Sequence, residues 1–374
     1  MNIPIFELER IQSLYENTVD YNLTESGFHP FSLHELLNEE QQQDILQLTL
    51  GYGQTNGSIP LRKRIAAMYP GANYEQVVVT NGTSEANFVA CHTLLKPGDE
   101  VVMMLPNYMQ IWGIAEEIGA EPRAFHLRQE NDWAADLEEL ESQVNEKTKM
   151  IAICNPNNPT GYTLTEAEMD RIITIAEKVG AWIYADEVYR GAELDGVERP
   201  SFYGRYDKAI VNGGLSKAYA LPGLRIGWLI GPQEIIDTAW AYHDYTSITA
   251  SVLSHKVAEI ALEEEMRQKI RQRNISMLLK NLDLLQNWAL QYPDVFSFSP
   301  PKAAGMVFFQ YHLPMGSEEL SDYLRKNHSV FIVPGTCFGM EGFVRMGAGS
   351  TQDYLEKGLA RIDEGLKGIL AKVV

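Results

Sequence analysis

Two charged side chains stand eight residues apart in residues 213–228, which read GGLSKAYALPGLRIGW. Lys217 and Arg225 are the only charged residues of this segment, and apolar stretches flank it on both sides. Small and apolar surroundings favour the neutral amine of a lysine, which is a nucleophile and a base. A lysine in a surface loop is the commoner explanation for one such residue. A catalytic role for Lys217 therefore depends on what other groups surround it.

Further polar and aromatic side chains follow other apolar, strand-like stretches of the chain. Gly82, Thr83 and Ser84 form a small-residue turn that opens a helix, which suits a phosphate because helix N-termini carry free N–H groups. Asp186 ends a strand candidate, where a buried carboxylate needs a positive partner. Three other groups occupy such positions. They are Tyr108, the polar turn NPNNPTG at residues 155–161, and Tyr189.

Each of these features has an ordinary structural explanation: a helix cap, a packed tyrosine, a loop, or an aspartate bonded to backbone. As a set they are more informative, because the carboxyl ends of the strands in an open parallel sheet form the ligand-binding edge. A lysine, an acid for a ring nitrogen and donors for a ring oxygen and a phosphate describe a site for a phosphorylated pyridine aldehyde.

The elements that must position these groups are read from hydrophobic periodicity. Almost wholly apolar strands alternate with amphipathic helices, including a helix at 165–180 with a capping box of Thr165 and Glu168 and a terminal Gly180. Strands of this kind are buried on both faces, so the pattern predicts an α/β domain with a mostly parallel sheet sandwiched by helices. Its strands are predicted at 76–80, 100–105, 150–155, 182–187, 209–214 and 225–230.

A smaller α+β domain is predicted from the rest of the chain. A long helical region covers about 232–290, and shorter strand signals follow it before a C-terminal helix at 352–372. Those strand signals lie at 305–311, 330–335 and 342–347.

Composition limits the function classes. The formal net charge of -19 disfavours binding to nucleic acid or to an anionic membrane. Three distant cysteines form no disulfide framework, and no signal peptide or membrane span is recognised, so a cytoplasmic location is expected. His29 and His34 are spaced i, i+5, which does not put both on one helix face, and no metal site is predicted.

The lysine segment resembles the lysine signature of the fold-type I, class I/II aminotransferases of the aspartate aminotransferase superfamily. Four further segments are similar to that family in the same order, and the resemblance covers about 50–350: 51–66 (GYGQTNGSIPLRKRIA), TNGTSEAN, NPNNPTG and DEVY. The resemblance implies pyridoxal 5'-phosphate (PLP) as cofactor, a large PLP-binding domain at 45–270, and a small domain made of 1–44 and 271–374.

The resemblance also implies a role for each matching residue. Lys217 is the Schiff-base lysine and the base at the substrate Cα. Asp186 pairs with the pyridine nitrogen, Asn158 and Tyr189 bind the ring oxygen, and Tyr108 stacks on the ring. The phosphate is held by Gly82, Thr83, Ser84, Ser216 and Arg225, and by Tyr52 from the neighbouring subunit of a homodimer. The substrate is bound by Arg345 at its α-carboxylate, and by Asn158, Gly27 and His29.

Two departures from the family pattern matter. Gly214 stands where many members have a serine three residues before the lysine, so one phosphate hydroxyl is expected to be missing. Residues 22–37, which normally line the substrate pocket, read NLTESGFHPFSLHELL in place of a Gly-x-Pro-Asp pattern.

The predicted activity is transfer of an amino group from an L-amino acid to a 2-oxo acid. A PLP-dependent lyase, cyclase or oxidase, including a capreomycidine-synthase-like reaction, stays open, because the same cofactor chemistry serves it. A non-catalytic PLP-binding sensor domain is the remoter alternative.

Overall fold

A computed structural model describes residues 3–373. It contains thirteen α-helices within that range, numbered along the chain: α1 (Glu7–Tyr15), α2 (Leu33–Leu36), α3 (Glu39–Leu46), α4 (Ile59–Ala66), α5 (Thr83–Leu94), α6 (Gln110–Ile118), α7 (Leu137–Gln143), α8 (Glu166–Val179), α9 (Gln233–His243), α10 (Val252–Ala261), α11 (Glu264–Ala289), α12 (Ser317–His328) and α13 (Gln352–Val373).

Fourteen strands are described in the same residues and form three sheets. They are β1 (Tyr21–Asn22), β2 (Val77–Thr80), β3 (Glu100–Leu105), β4 (Glu121–Arg128), β5 (Ala134–Ala135), β6 (Thr148–Cys154), β7 (Trp182–Asp186), β8 (Ala209–Gly214), β9 (Gly227–Ile230), β10 (Phe296–Ser297), β11 (Met306–Tyr311), β12 (Val330–Phe331), β13 (Val333–Pro334) and β14 (Phe343–Gly347).

The large sheet has eight strands in the order β2-β9-β8-β7-β6-β3-β4-β5. The run from β8 to β4 is parallel, whereas β9 is antiparallel to both of its neighbours. Strands β2, β8 and β9 are buried along their whole length, because apolar side chains cover both faces of the sheet. The predicted α/β fold with a mostly parallel, helix-sandwiched sheet is confirmed.

The sequence prediction lacked two strands of this sheet, β4 and the two-residue β5. β4 reads EPRAFHLR, and only Phe125 and Leu127 are buried in it, because it lies near one end of the sheet. A strand this polar gives neither an apolar run nor a clean alternation.

The smaller part of the fold contains two sheets. Strands β10, β11, β14 and β13 form an antiparallel sheet, and β1 pairs in parallel with β12. The second pairing joins the N-terminal segment to the C-terminal third of the chain, as Tyr21 lies opposite Val330. The domain limits 45–270 and 1–44 plus 271–374 stay a prediction, and their outermost positions, 1–2 and 374, lie outside the described residues.

Several local predictions are confirmed. The capping box of Thr165 and Glu168 opens α8, and Gly180 ends that helix in the left-handed conformation with φ 69°. The helical region predicted at 232–290 is divided into α9, α10 and α11. Within residues 3–373, no helix is long and apolar enough to cross a membrane.

Candidate active site

A cavity of about 260 Å³ lies at the carboxyl ends of the large sheet's strands. The loops after β2, β3, β6, β7 and β8 all reach it, as expected for an open parallel sheet. It collects ten of the residues that the sequence predicted for the site: Thr83, Ser84, Tyr108, Asn158, Asp186, Tyr189, Ser216, Lys217, Arg225 and Arg345.

One end of the cavity is built to hold an anion. Helix α5 begins at Thr83, and no side chain in the described part of the chain caps its first N–H groups. Arg225 Nη1 lies 3.3 Å from Ser216 Oγ, so a guanidinium and a hydroxyl meet at this helix N-terminus. Gly82 has φ 86°, and a Cβ there would lie 2.2 Å from Arg225 Nη2, so only glycine lets the arginine approach the turn.

Gly214 has a steric explanation. A Cβ at this position would lie 2.7 Å from Thr83 Cγ2 and 3.0 Å from the Ile226 carbonyl oxygen. Strand β8 therefore passes too close to the start of α5 for a larger residue. The serine that many family members carry here does not fit this backbone, and the remaining donors at this end are Thr83, Ser84, Ser216 and Arg225.

Asp186 lies at the base of the cavity and is 7% exposed. Burial raises the pKa of its carboxyl group, while the N–H of Val188, which donates to Oδ1 at 3.1 Å, opposes that shift. Nearby, the Tyr184 hydroxyl and the Asn212 amide both donate to Asn87 Oδ1, at 2.7 and 2.6 Å. A carboxylate buried this deeply needs a cationic partner to be stable in its charged form.

Asn158, Tyr189 and Arg345 line the same cavity. Arg345 Nη1 donates to Asn158 Oδ1 at 2.8 Å, and Nη2 donates to the Thr24 carbonyl at 2.6 Å. The Tyr189 hydroxyl donates to Ser26 Oγ at 2.8 Å. Arg345 is 1% exposed, and its Nε has no hydrogen-bond partner among residues 3–373. A buried guanidinium N–H without a partner is costly unless a ligand accepts from it.

Four predicted residues do not line this cavity: Gly82, which lies at the turn beside Arg225, and Tyr52, Gly27 and His29. Tyr52 is 91% exposed and is not among the residues that line the cavity. His29 is exposed and lines a neighbouring cavity with Gly27. Gly27 still packs against the lysine, since a Cβ on it would lie 3.4 Å from Lys217 Cδ. Contact of Gly27 and His29 with substrate stays a prediction.

The N-terminal segment builds a wall over the cavity; sequence reasoning expected a contribution from residues 22–37 but missed the part that α1 supplies. We call it the N-terminal wall, and its residues are Leu8, Glu9, Gln12, Glu25 and Ser26. The Tyr108 hydroxyl donates to Glu9 Oε1 at 2.7 Å, and Gln12 donates to Thr24 Oγ1 at 2.9 Å. The signal that could have located it is the i, i+3 spacing of Glu9 and Gln12 on a short helix just before the divergent segment 22–37.

Comparison with known proteins agrees with this geometry. The family model described as "Aminotransferase class I and II" matches residues 20–362. The capreomycidine synthase of Streptomyces vinaceus is 29% identical over 350 residues, covering 92% of this chain and 89% of that protein. The aromatic-amino-acid aminotransferase 2 of Thermococcus litoralis is 27% identical over 362 residues, covering 91% and 90%. A PLP-dependent aminotransferase structure from Streptococcus suis superposes with a TM-score of 0.93 at 34% identity, covering 99% of each chain.

The residues present fit PLP. The uncapped α5 N-terminus with Arg225 and Ser216 suits a phosphate, and buried Asp186 suits a protonated pyridine nitrogen. Because Asn158 Oδ1 already accepts from Arg345, the Asn158 amide nitrogen is the group left to donate to a ring oxygen. Lys217 stands among these groups, with its amine 3.8 Å from Glu25 Oε2.

Proposed function

The chain belongs to the class I and II aminotransferases, which are PLP-dependent enzymes, and on that premise we propose that it transfers an amino group from an L-amino acid to a 2-oxo acid. One observation carries the proposal: Lys217, Asp186 and Arg345 converge on one cavity with the groups of an anion site. The reaction needs these three groups: a base at Cα, an acid that pairs with the ring nitrogen, and a guanidinium that binds the α-carboxylate.

When bound, PLP supplies the aldehyde carbon that amines condense with and the electron sink that acidifies the substrate Cα–H bond. Lys217 Nζ would take the proton from the substrate Cα and give it up again later in the reaction, so this residue would act as both base and acid. Arg345 orients the substrate by its α-carboxylate through charge-assisted hydrogen bonds. The unpartnered Arg345 Nε is a donor that such a carboxylate satisfies.

The other residues hold the ring in place. Asp186 keeps the ring nitrogen protonated, and its burial strengthens that interaction because little water screens it. Asn158 would donate to the ring oxygen, Tyr189 would do so by turning its hydroxyl proton away from Ser26, and Tyr108 would pack on the ring. Thr83, Ser84, Ser216 and Arg225 fix the phosphate, so the ring cannot rotate away from Lys217.

We propose a homodimer in which Tyr52 reaches the phosphate of the partner subunit. The support is the exposure of apolar side chains in two segments. Tyr52 is 91% exposed and Leu50 78%, while Tyr245 is 92% exposed in the loop after α9. Large apolar groups that are this exposed mark a protein–protein contact when they cluster.

A second candidate reaction is a cyclisation or elimination on the same cofactor. The similarity to a capreomycidine synthase over 92% of this chain favours it. The cofactor-binding groups serve both outcomes, so the residues that distinguish them lie on the substrate side of the cavity.

A half-reaction screen tests the proposal. The purified PLP form is mixed with each common amino acid, with ornithine and with arginine, in the absence of any oxo acid. The visible absorbance of the cofactor is followed, and oxo acid and ammonia are assayed. Stoichiometric loss of the visible band with one equivalent of oxo acid and no ammonia is expected for an aminotransferase.

Two results contradict the proposal. Continuous release of oxo acid and ammonia, with the visible band retained, indicates a lyase or an oxidase. A cyclic product with the band retained indicates a cyclase. The matched control is the Lys217→Ala variant, which should give none of these products.

A further inference from the structure

Carboxylates face the substrate side of the cavity. Glu9 and Glu25 belong to the N-terminal wall that lines it. Glu16 directly follows α1. It lies one helical turn beyond Gln12 and two turns beyond Glu9, so Glu9, Gln12 and Glu16 are on one side of this segment. Burial raises the pKa of Glu16, and the negative charges of Glu25 and Glu9 raise it further. Glu16 is therefore close enough to Glu9 and to Glu25 to feel their negative charges.

The cations of the cavity do not neutralise these acids once the enzyme is loaded. Lys217, Arg225 and Arg345 are the three basic residues that line it. Under the proposed function, Lys217 and Arg225 bind the cofactor, and Arg345 binds the substrate α-carboxylate. Only Glu25 has an ion-pair partner within residues 3–373, and that partner is Lys217, at 3.8 Å. The loaded site thus leaves the carboxylates of Glu9, Glu16 and Glu25 without a cation.

The orientation of the substrate brings its side chain toward these acids. Arg345 Nη2 holds the carbonyl oxygen of Thr24, the residue before Glu25. Its Nε, which is buried and unpartnered in the described residues, marks the place of the α-carboxylate. Glu9 is fixed independently by the Tyr108 hydroxyl, which donates to its Oε1 at 2.7 Å. A substrate held by Arg345 therefore has the N-terminal wall within reach of its side chain.

From this arrangement we propose that the enzyme selects an amino acid whose side chain ends in a cation, an ammonium or a guanidinium, and that Glu9 and Glu25 are its specificity-determining residues. This inference rests on the proposed function, since it assigns the α-carboxylate to Arg345. Glu16 adds negative potential without lining the cavity. Acidic amino acids are disfavoured by the same charges.

Matched substrate pairs test the inference on the PLP-loaded protein. Arginine is compared with citrulline, and ornithine with norvaline, since the members of each pair have similar shapes and differ in charge. The rate of cofactor bleaching is measured against substrate concentration. The charged member of each pair is expected to have at least about a tenfold higher second-order rate constant, because one well-placed charge pair is worth about that factor. The preference should shrink at high salt.

An equilibrium measurement gives a readout apart from turnover. The probes are 2-methylornithine and 2-methylnorvaline, which lack a Cα hydrogen and stop before proton transfer. Their dissociation constants are measured by calorimetry. Glu9→Gln keeps the acceptor for Tyr108 and removes the charge; Glu25→Gln does the same at the other position. Each change is expected to reduce the preference for the cationic probe about fivefold, and the two together more. Glu7→Gln, on the same helix but lining a different cavity, is the control and should change nothing.

The outcomes separate this inference from the proposed function. Equal or better reaction of citrulline, norvaline, aspartate or glutamate overturns the inference and leaves the aminotransferase intact. An unchanged preference in the Glu9→Gln/Glu25→Gln protein overturns the assignment of those residues. If no amino acid alters the cofactor absorbance and none binds by calorimetry, the proposed function fails and the inference fails with it.

Discussion

Arg345 Nη1 donates a hydrogen bond to Asn158 Oδ1 at 2.8 Å, across 187 positions of sequence. This bond joins β14 of the small antiparallel sheet to the loop after β6 of the large sheet. It also fixes the orientation of the Asn158 amide, because its oxygen faces the guanidinium. The group proposed to bind substrate and a group proposed to bind the cofactor ring are thus one hydrogen-bonded unit, which positions the substrate relative to the ring.

Replacing the lysine tests the covalent attachment of the cofactor. Lys217→Ala should reduce turnover by at least about 10⁴-fold, because both the attachment point and the proton-transferring group are removed. Borohydride reduction followed by mass spectrometry of the intact protein should add the cofactor mass to the wild type and not to the variant. Lys147→Ala, an exposed lysine, is the control. A variant that keeps full activity contradicts the assignment.

The role of Asp186 is tested by an isosteric change. Asp186→Asn retains an acceptor for the Val188 N–H and loses the negative charge. We expect PLP to bind and the bleaching rate to fall about 100-fold, since about 3 kcal/mol of electrostatic stabilisation is lost. Stopped-flow absorbance measures the rate, and Asp207→Asn, at an exposed position, is the matched control. An unchanged rate would mean that the ring nitrogen has another partner.

Adding the serine that many family members have should harm this protein. In Gly214→Ser the new Cβ would meet Thr83 Cγ2 at 2.7 Å, so strand and helix must separate. We expect a loss of about 1–3 kcal/mol in the free energy of unfolding from overpacking, with weaker PLP binding. Thermal denaturation and PLP titration measure the two effects. Tighter PLP binding at unchanged stability would contradict the steric explanation.

The dimer is tested by removing one hydroxyl. Tyr52→Phe should weaken PLP binding at least about tenfold, the effect of one hydrogen bond to a charged group, without changing the mass of the assembly. Fluorescence titration gives the PLP dissociation constant and light scattering the mass. Tyr245→Phe, at a similarly exposed tyrosine, should leave PLP binding as it is. A monomeric mass, or equal effects of both changes, contradicts the proposal for Tyr52.

Glu187 makes stability depend on pH. Burial raises its pKa to about 7, although Arg190 and hydrogen bonds from Phe202 and Ser201 oppose the shift. The folded state then holds one proton more than the unfolded state between the ordinary pKa, 4.5, and about 7, so this group's contribution to stability falls as pH rises through that window. Glu187→Gln should flatten that fall. Chemical denaturation of both proteins at several pH values measures it, and parallel curves would contradict it.

The sequence predicted the large sheet well because its signals are local. The residues of β3 and β8 form apolar runs of strand length bounded by turns, and both were predicted with the observed limits. Several cofactor residues were found by the same logic, since Thr83, Tyr108, Asn158 and Lys217 each come three residues after a predicted strand. Glycine at position 214 was noticed, but its cause was not, because the crowding comes from Thr83 and Ile226 on other elements.

The N-terminal wall could not be predicted in the same way. Its position depends on bonds between distant residues, such as Tyr189 with Ser26 and Arg345 with Thr24, separated by 163 and 321 positions. Nothing in the local pattern of residues 7–26 indicates those partners. The side chains that define the substrate side, Glu9 and Glu25, are exposed glutamates, which by type alone are ordinary surface residues.

The placement of the N-terminal wall has an evolutionary consequence. The residues of the wall lie between Leu8 and Ser26 in the sequence. Lys217, Asp186 and the anion site come from the middle part of the sequence. Changes in this N-terminal segment can therefore alter which substrate the enzyme accepts, while the cofactor-binding and proton-transferring residues stay the same. Relatives that share the cofactor-binding residues can diverge in substrate through this short segment. A chimera that exchanges the segment is the simplest route to redesign of substrate specificity.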